Sequence, residues 1–285
     1  MDFLSLNFKG ECWLAYPRGM RFPTAFKKCY PMRGRGIISN LLYWVNRFGL
    51  DRLLLRCEKL EEGLKFPVID NVAFFWPAAS RSTTRFYGYR VIGGRVVSYL
   101  KFARTEDEAK VLRKEFENTE KARQITGRSF EVPKPINFLD KNGDGFAIAE
   151  YEALPEDFTN VSLDDAWISK IDEARSQITE IGLSHGDFMW HNFKASKNKL
   201  WILDWEELTE ISEARPELTD EISFWTAMKH YNKGESLESV CNEFKQKYFT
   251  DSPLKNQAFA ALNSMASRGI AMGKILLKEL EGDCK

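Results

Sequence analysis

The spacing of apolar residues along this chain of 285 residues changes character more than once. From Phe66 it reads as strands: FPVIDNVAFFWP, RFYGYRVI and RVVSYLKFA are rich in β-branched and aromatic residues. Between the last two, Gly93-Gly94 predicts a short hairpin, because both turn residues must accept positive φ. A charged helix is expected over about Glu106 to Thr126, closed by Gly127. Strands follow at Ile136–Leu139 and Phe146–Glu152, joined by the turn KNGDG. After Pro155 the period lengthens. Ser162 with Asp165 reads as a capping box, and Leu163, Ile171, Ala174, Ile178 and Ile181 keep helical spacing up to Gly182. SHGDFMWHNF (184–193) comes next, then a hairpin through KASKNK into LWILDWEE. From Thr219 several helices lead to a long amphipathic stretch, NQAFAALNSMASRGIAMGKILLKEL.

The first third is less regular. Residues 10–36 are crowded with Gly, Pro and basic residues (YPRGMRFP, YPMRGRG), which predicts irregular structure. SNLLYWVNRFGLDRLLLRCEKLEEG (39–63) reads as a helix with Leu42, Val45, Phe48 and Leu54 on one face and Gly63 as its stop. Strands with one helix, followed by mostly helices, make an α+β protein with two lobes. Residues 1–65 are expected to be a partly helical N-terminal extension of unclear role, 66–153 a first lobe and 154–285 a helical second lobe. The boundary is expected near Ala153 to Asp157.

Composition narrows the function classes. Hydrophobic residues make up 44% and charged residues 29%, the profile of a soluble globular protein with a sizeable core. Basic and acidic residues balance at 41 each, so no net field argues for nucleic acid or a membrane surface. Five scattered cysteines without a CxxC pair fit reduced thiols rather than a disulfide framework or zinc site. The first residues, MDFLSLNFKGECW, lack a signal peptide's charge order, and no apolar run reaches bilayer length. A cytoplasmic location without a membrane span is the expectation.

Polar groups at tight spacing in an apolar stretch carry the chemistry. His185, Asp187 and Asn192 lie among Phe188, Met189, Trp190 and Phe193, and Asp204 ends the run LWIL after a short hairpin. The apolar residues would pin such a loop while the polar ones converge at its surface. A carboxylate and an amide oxygen are hard donors suited to Mg²⁺ held together with substrate phosphates. A second carboxylate nearby can take a proton from a hydroxyl. These are the parts phosphoryl transfer needs.

HGDFMWHN followed by ILDWE resembles the catalytic loop, HGDxxxxN, and the metal-binding segment of the aminoglycoside phosphotransferase and choline kinase-like families. The resemblance implies a two-lobed protein kinase-like fold, α+β, with a small antiparallel sheet in the N-lobe and a mainly helical C-lobe. It implies an Mg²⁺-dependent kinase using ATP, with GTP open, that phosphorylates a hydroxyl of a sugar, amino sugar or amino alcohol. By that resemblance Asp187 is the catalytic base, His185 braces the loop, Asn192 and Asp204 hold Mg²⁺, and Asp220 in ELTDEISFW is a looser match. A kinase-like first lobe also needs a strand Lys and a helix Glu to orient phosphates. Lys101 in VVSYLKFA fits the first. Glu115 fits the second, with Glu108 on the same stripe. Backbone around Glu150 to Glu152 is the expected adenine contact.

One departure is visible. PAASRSTTR has no glycine where protein kinases carry a Gly-rich phosphate loop, so Ser80, Ser82, Thr83 and Thr84 would offer hydroxyls and N–H groups instead. That argues against a protein kinase, and leaves a catalytically inactive binding or scaffold module as the rival reading. The acidic run Glu206, Glu207, Glu210 and Glu213 would either attract a cationic acceptor or form a solvated face. Nothing in the sequence bears on oligomeric state.

Overall fold

A computed structural model describes residues 2–8, 11–22, 36–51, 56–59, 69–75, 86–125, 127–140 and 145–282. Its strands are β1 (Asp2–Phe8), β2 (Glu11–Pro17), β3 (Arg56–Lys59), β4 (Val72–Phe75), β5 (Phe86–Ile92), β6 (Arg95–Ala103), β7 (Phe130–Glu131), β8 (Pro135–Leu139), β9 (Ala147–Glu152), β10 (Thr159–Asn160), β11 (Leu183–Ser184), β12 (Phe193–Ser196), β13 (Lys199–Ile202) and β14 (Thr209–Glu210). Its α-helices are α1 (Gly36–Arg47), α2 (Glu106–Arg123), α3 (Asp165–Glu180), α4 (Thr219–Ala227), α5 (Leu237–Tyr248), α6 (Ser252–Ser267) and α7 (Ala271–Gly282). Short 3-10 turns span Trp190–Asn192 and Trp205–Glu207, and a π-helical turn spans Met228–Asn232. The class is α+β, as expected. Among the described residues no helix is long and apolar enough to cross a membrane.

Two compact units divide the chain: Met1–Glu120 with Pro133–Phe158, and Lys121–Val132 with Thr159–Lys285. The first holds an eight-stranded antiparallel sheet in the order β3-β1-β2-β4-β5-β6-β9-β8. Gly93 and Gly94, at φ +57 and +75, make the expected two-residue turn between β5 and β6. Cross-strand pairs put Phe75, Tyr87, Tyr89, Tyr99, Lys101, Ala149 and Tyr151 on one face. Helix α1 packs on this face through Tyr43, against Leu4, Leu14, Tyr16 and Phe75. Helix α2 packs on it through Leu112, against Ala103, Ala147 and Ala149. Acids in the first turn of α2 and Lys121 and Arg123 in its last complement the helix dipole.

The first 65 residues differ from expectation. Rather than standing apart, they supply three strands to the sheet that residues 66–153 continue. Part of the stretch read as irregular is β2, which pairs with both β1 and β4. Partner strands supply the regularity that its Gly and Pro content hides. The helix expected over 39–63 is α1 and ends at Arg47. Gly49, at φ +75, stops it, and the chain returns as β3. Apolar spacing simply continued past that stop.

The second unit is mainly helical. One core gathers Phe130, Ile171, Ile178, Phe188, Phe193, Trp205 and Phe224; another gathers Val240, Phe244, Leu262, Met265 and Leu276. Asp164, not Ser162, caps α3: its carboxylate accepts the Trp167 N–H at 3.0 Å, while the Ser162 hydroxyl donates to Asp164 at 2.6 Å. The long C-terminal stretch is two helices, broken at Gly269 with φ +82. Gly273 then lets α7 approach α6, since a Cβ there would lie 2.6 Å from Met265 Cβ. Lys197 and Asn198, both at positive φ, close the β12–β13 hairpin.

Candidate active site

The segment Ser184–Phe193 is anchored by its aromatics. Phe188 and Phe193 are fully buried and meet edge to face at 4.8 Å. Gly186 has no substitute: at φ +88, a Cβ would stand 2.0 Å from Arg215 Nη1 and 2.7 Å from the Glu207 carbonyl. Asp220, buried at the start of α4, gathers the turn. Its Oδ2 accepts the His185 N–H at 2.6 Å and the Ser184 hydroxyl at 3.0 Å, and its Oδ1 accepts the Gly186 N–H at 2.9 Å. Arg268 donates to the Gly186 carbonyl at 3.0 Å.

His185 carries the link to the metal segment. Its Nδ1 accepts the Asp187 N–H at 3.3 Å, which leaves the proton on Nε2, donating to the Leu203 carbonyl at 3.1 Å. Burial holds its pKa below the usual histidine value, against the pull of Asp220, Asp187 and Asp204. The Leu203 N–H donates to the Asn192 carbonyl at 2.9 Å, and Phe193 pairs with Ile202. Both neighbours of Asp204 in the fold are thereby fixed. Asp204 itself sits in the left-handed region at φ 63, a conformation Asp tolerates better than most residues. It opens the 205–207 turn and brings a carboxylate oxygen within 4.8 Å of one from Glu206.

Asp187 is part-buried and ionised. Burial raises its pKa, but hydrogen bonding and charge from His191, with help from Asn192 and His185, outweigh it and leave the carboxyl below its ordinary value. His191 Nε2 lies 3.5 Å from Asp187 Oδ2. Asn192 gives its amide N–H groups to Asp187 O and Oδ2, both at 2.9 Å, which turns its Oδ1 away as the atom able to hold a cation.

In the first unit Lys101 Nζ meets Glu115 Oε1 at 2.5 Å, with Glu115 almost wholly buried. Of the two candidate acids Glu115 is the one bonded; Glu108 acts electrostatically on Arg104. Tyr87 is directly across from Lys101 and its ring stacks on Tyr99 at 5.7 Å, so two aromatic faces share the Lys101 side of the sheet. Glu150 and Glu152 lie in β9, an interior strand, and the Glu152 N–H already donates to the Lys134 carbonyl at 2.8 Å. The Glu150 carboxylate is taken by Arg90 and Ser98 on the opposite face. Ser80, Ser82, Thr83 and Thr84 lie outside the described residues.

Sequence reasoning underrated three groups. His191, not among the loop residues singled out from the sequence, lies beside Asp187, and its i, i+4 spacing was the available signal. Glu206 was placed in an acidic run rather than with Asp204, two residues away in DWE. Arg215, which pairs with Glu207 at 3.2 Å and so removes it from that run, had no signal at all.

No family model and no curated protein matches the sequence. Solved structures do. A thermostable mutant of aminoglycoside phosphotransferase APH(4)-Ia, in ternary complex with ADP and hygromycin B, aligns with TM-score 0.45 at 9% identity, over 71% of this chain and 90% of that one. The amicoumacin kinase hAmiN with AMP-PNP, Ca²⁺ and Ami gives 0.41 at 13% identity, over 75% and 90%. WbdD with a kinase inhibitor gives 0.40 at 13% identity, over 68% of this chain and 48% of that one. None of the three carries weight for what this chain does. The fold is kinase-like: a Lys-bearing strand and Glu-bearing helix in a sheet unit, and a loop with Asp187 and Asn192 ahead of Asp204 in a mainly helical unit.

Proposed function

We propose that this chain is an Mg-ATP-dependent phosphotransferase that moves the γ-phosphoryl group to a hydroxyl of a small molecule such as a sugar, amino sugar or amino alcohol. The observation that carries this reading is the hydrogen-bonded chain from Asp187 through Asn192 to Leu203, which ties the Asp187 carboxylate to the residue before Asp204. Asp187 accepts the hydroxyl proton as the oxygen attacks phosphorus. Asn192 holds Asp187 in one rotamer. Lys101, oriented by Glu115, meets phosphate oxygens, and the rings of Tyr87 and Tyr99 on its face give the base a stacking surface. Such stacking accepts any purine, consistent with ATP and GTP both serving as donor.

The donor set fits Mg²⁺: Asn192 Oδ1 and the Asp204 and Glu206 carboxylates are hard oxygens, two of them close together. When bound, that ion neutralises charge on the transferring phosphates. The test is ADP release with Mg-ATP across a panel of sugars, amino sugars, aminoglycosides and amino alcohols, for the wild type and Asp187→Asn. A turned-over acceptor whose kcat falls roughly 10²–10⁴-fold in the variant supports the reading. No turnover of any acceptor, or an unchanged rate in the variant, overturns it.

A further inference from the structure

Helix α1 is apolar on the side that faces away from the sheet. Its inward side is settled by the buried Tyr43 and by Asn46, which accepts the Phe22 N–H at 2.8 Å and donates to the Met20 carbonyl and Asp51 at 2.9 and 2.8 Å. Asp51 also accepts the Tyr16 hydroxyl at 3.0 Å. This buried knot fixes the roll of the helix. The residues left outward are Leu41, Trp44 and Phe48, with Leu50 just past Gly49; they are 60, 46, 70 and 46% exposed. Positions 41, 44 and 48 fall on one stripe, and the Trp44 and Phe48 rings stack at 5.7 Å. On a helix packed against a sheet, the stripe facing away is ordinarily polar.

Charge says what covers it. Arg47 is exposed on the same helix. The Arg21 guanidinium donates to the Asn46 carbonyl and lies 3.4 Å from where a Gly49 side chain would start, between Phe48 and Leu50. Asp51 is buried and committed to Tyr16 and Asn46. Residues 9–56 hold ten basic and two acidic residues, against 31 and 39 in the rest of the chain. A two-fold pairing of copies would set these arginines toward each other, which disfavours a second copy as the occupant.

We propose that this ridge docks on an anionic phospholipid surface, with Leu41, Trp44, Phe48 and Leu50 entering the interface and Arg21 and Arg47 meeting lipid phosphates. The helix lies in the interface plane and spans nothing. The proposal is independent of the phosphoryl-transfer reading.

The test is flotation of the full chain with phosphatidylcholine vesicles, with and without phosphatidylglycerol, at low and high salt. Binding only to the anionic vesicles, weakened by salt, is expected. Trp44→Ser with Phe48→Ser removes two aromatic side chains from the interface and should cut partitioning at least roughly tenfold. Both are exposed, so the thermal midpoint should hold. Arg47→Gln should weaken anionic binding with both rings in place. Three results overturn the proposal: no binding to anionic vesicles, equal binding to neutral ones, or full binding by the serine variant. Self-association or nucleic-acid binding that the serine variant abolishes, without any lipid binding, overturns it in favour of that occupant.

Discussion

The two regions proposed to carry the chemistry are held in opposite ways. In the sheet unit, an ion pair joins Lys101 to Glu115, 14 residues apart, positioned by a strand and the helix after it. In the helical unit, the loop around Asp187 is tied from several sides: Asp220 takes three donors, His185 and Asn192 both reach Leu203, and Arg268 takes the Gly186 carbonyl. A close ion pair positions charge directly and loses that hold when either end is removed. A network holds geometry through the loss of one bond, at the cost of leaving buried donors stranded. Each prediction below tests that contrast.

The largest effect belongs to the buried ion pair. Lys101→Met takes its 2.5 Å partner away from the carboxylate of Glu115, a residue only 2% exposed. Removing one partner of such a pair typically costs about 3–5 kcal/mol. Adding Glu115→Leu should restore most of the stability, since an apolar replacement of a buried pair is often near neutral. Activity should not return. Urea unfolding of both variants checks this; a double variant no more stable than Lys101→Met would show that the strip of sheet and helix depends on more than the pair.

This contrast also explains what was legible in the sequence. HGDFMWHN and LDWE could be read because the whole constellation lies within about twenty residues and its polar positions break an apolar run. Lys101 was readable from the Gly93-Gly94 hairpin ahead of it, and Glu115 from its apolar neighbours in α2. The N-terminal strands were not readable. Strand β2 owes its order to β1 on one side and β4 on the other, nearly 60 residues away in sequence, and no local pattern reports a distant partner. Asp220 was only half legible for the same reason: its three donors come from 34 to 36 residues upstream. The outward stripe of α1 misled directly. Phe48 was grouped on one face with Leu42 and Val45, and spacing alone does not say which side of a helix meets the sheet.

Asp220→Asn should cost less stability than Lys101→Met but more rate than its distance from the reacting atoms suggests. One carboxylate oxygen becomes an NH₂ group facing N–H or O–H donors, so at least one buried donor loses its acceptor, for roughly 1–3 kcal/mol. The rest of the network keeps the loop folded. A displacement of the Asp187 carboxylate by a fraction of an ångström is still enough to lower kcat, by about 10- to 100-fold. KM for the nucleotide should stay within a few-fold, since Asp220 touches neither proposed phosphate ligand. Steady-state kinetics separates the two parameters. A rise in KM with kcat unchanged would mean that Asp220 supports binding and not the base.

His185 gives the smallest effect and the cleanest sign. Burial depresses its pKa, so the folded chain keeps the ring neutral where an unfolded chain, near 6.5, takes up a proton. Above that value neither state gains, and stability is flat with respect to this group. As pH falls below about 6.5, the unfolded state binds a proton that the folded state refuses, and stability drops by up to about 1.4 kcal/mol per pH unit. The refusal is structural: Nδ1 already accepts the Asp187 N–H, and a proton there would set two hydrogens against each other. Asp187 works in a separate window, because its lowered carboxyl pKa makes its contribution fade only in strong acid. Thermal midpoints between pH 8 and 5.5 should therefore fall in the wild type and fall less steeply in His185→Gln, whatever that variant's absolute stability. Equal slopes in the two proteins would mean the proton is taken elsewhere, and that the brace between the loop and Leu203 survives a charged ring.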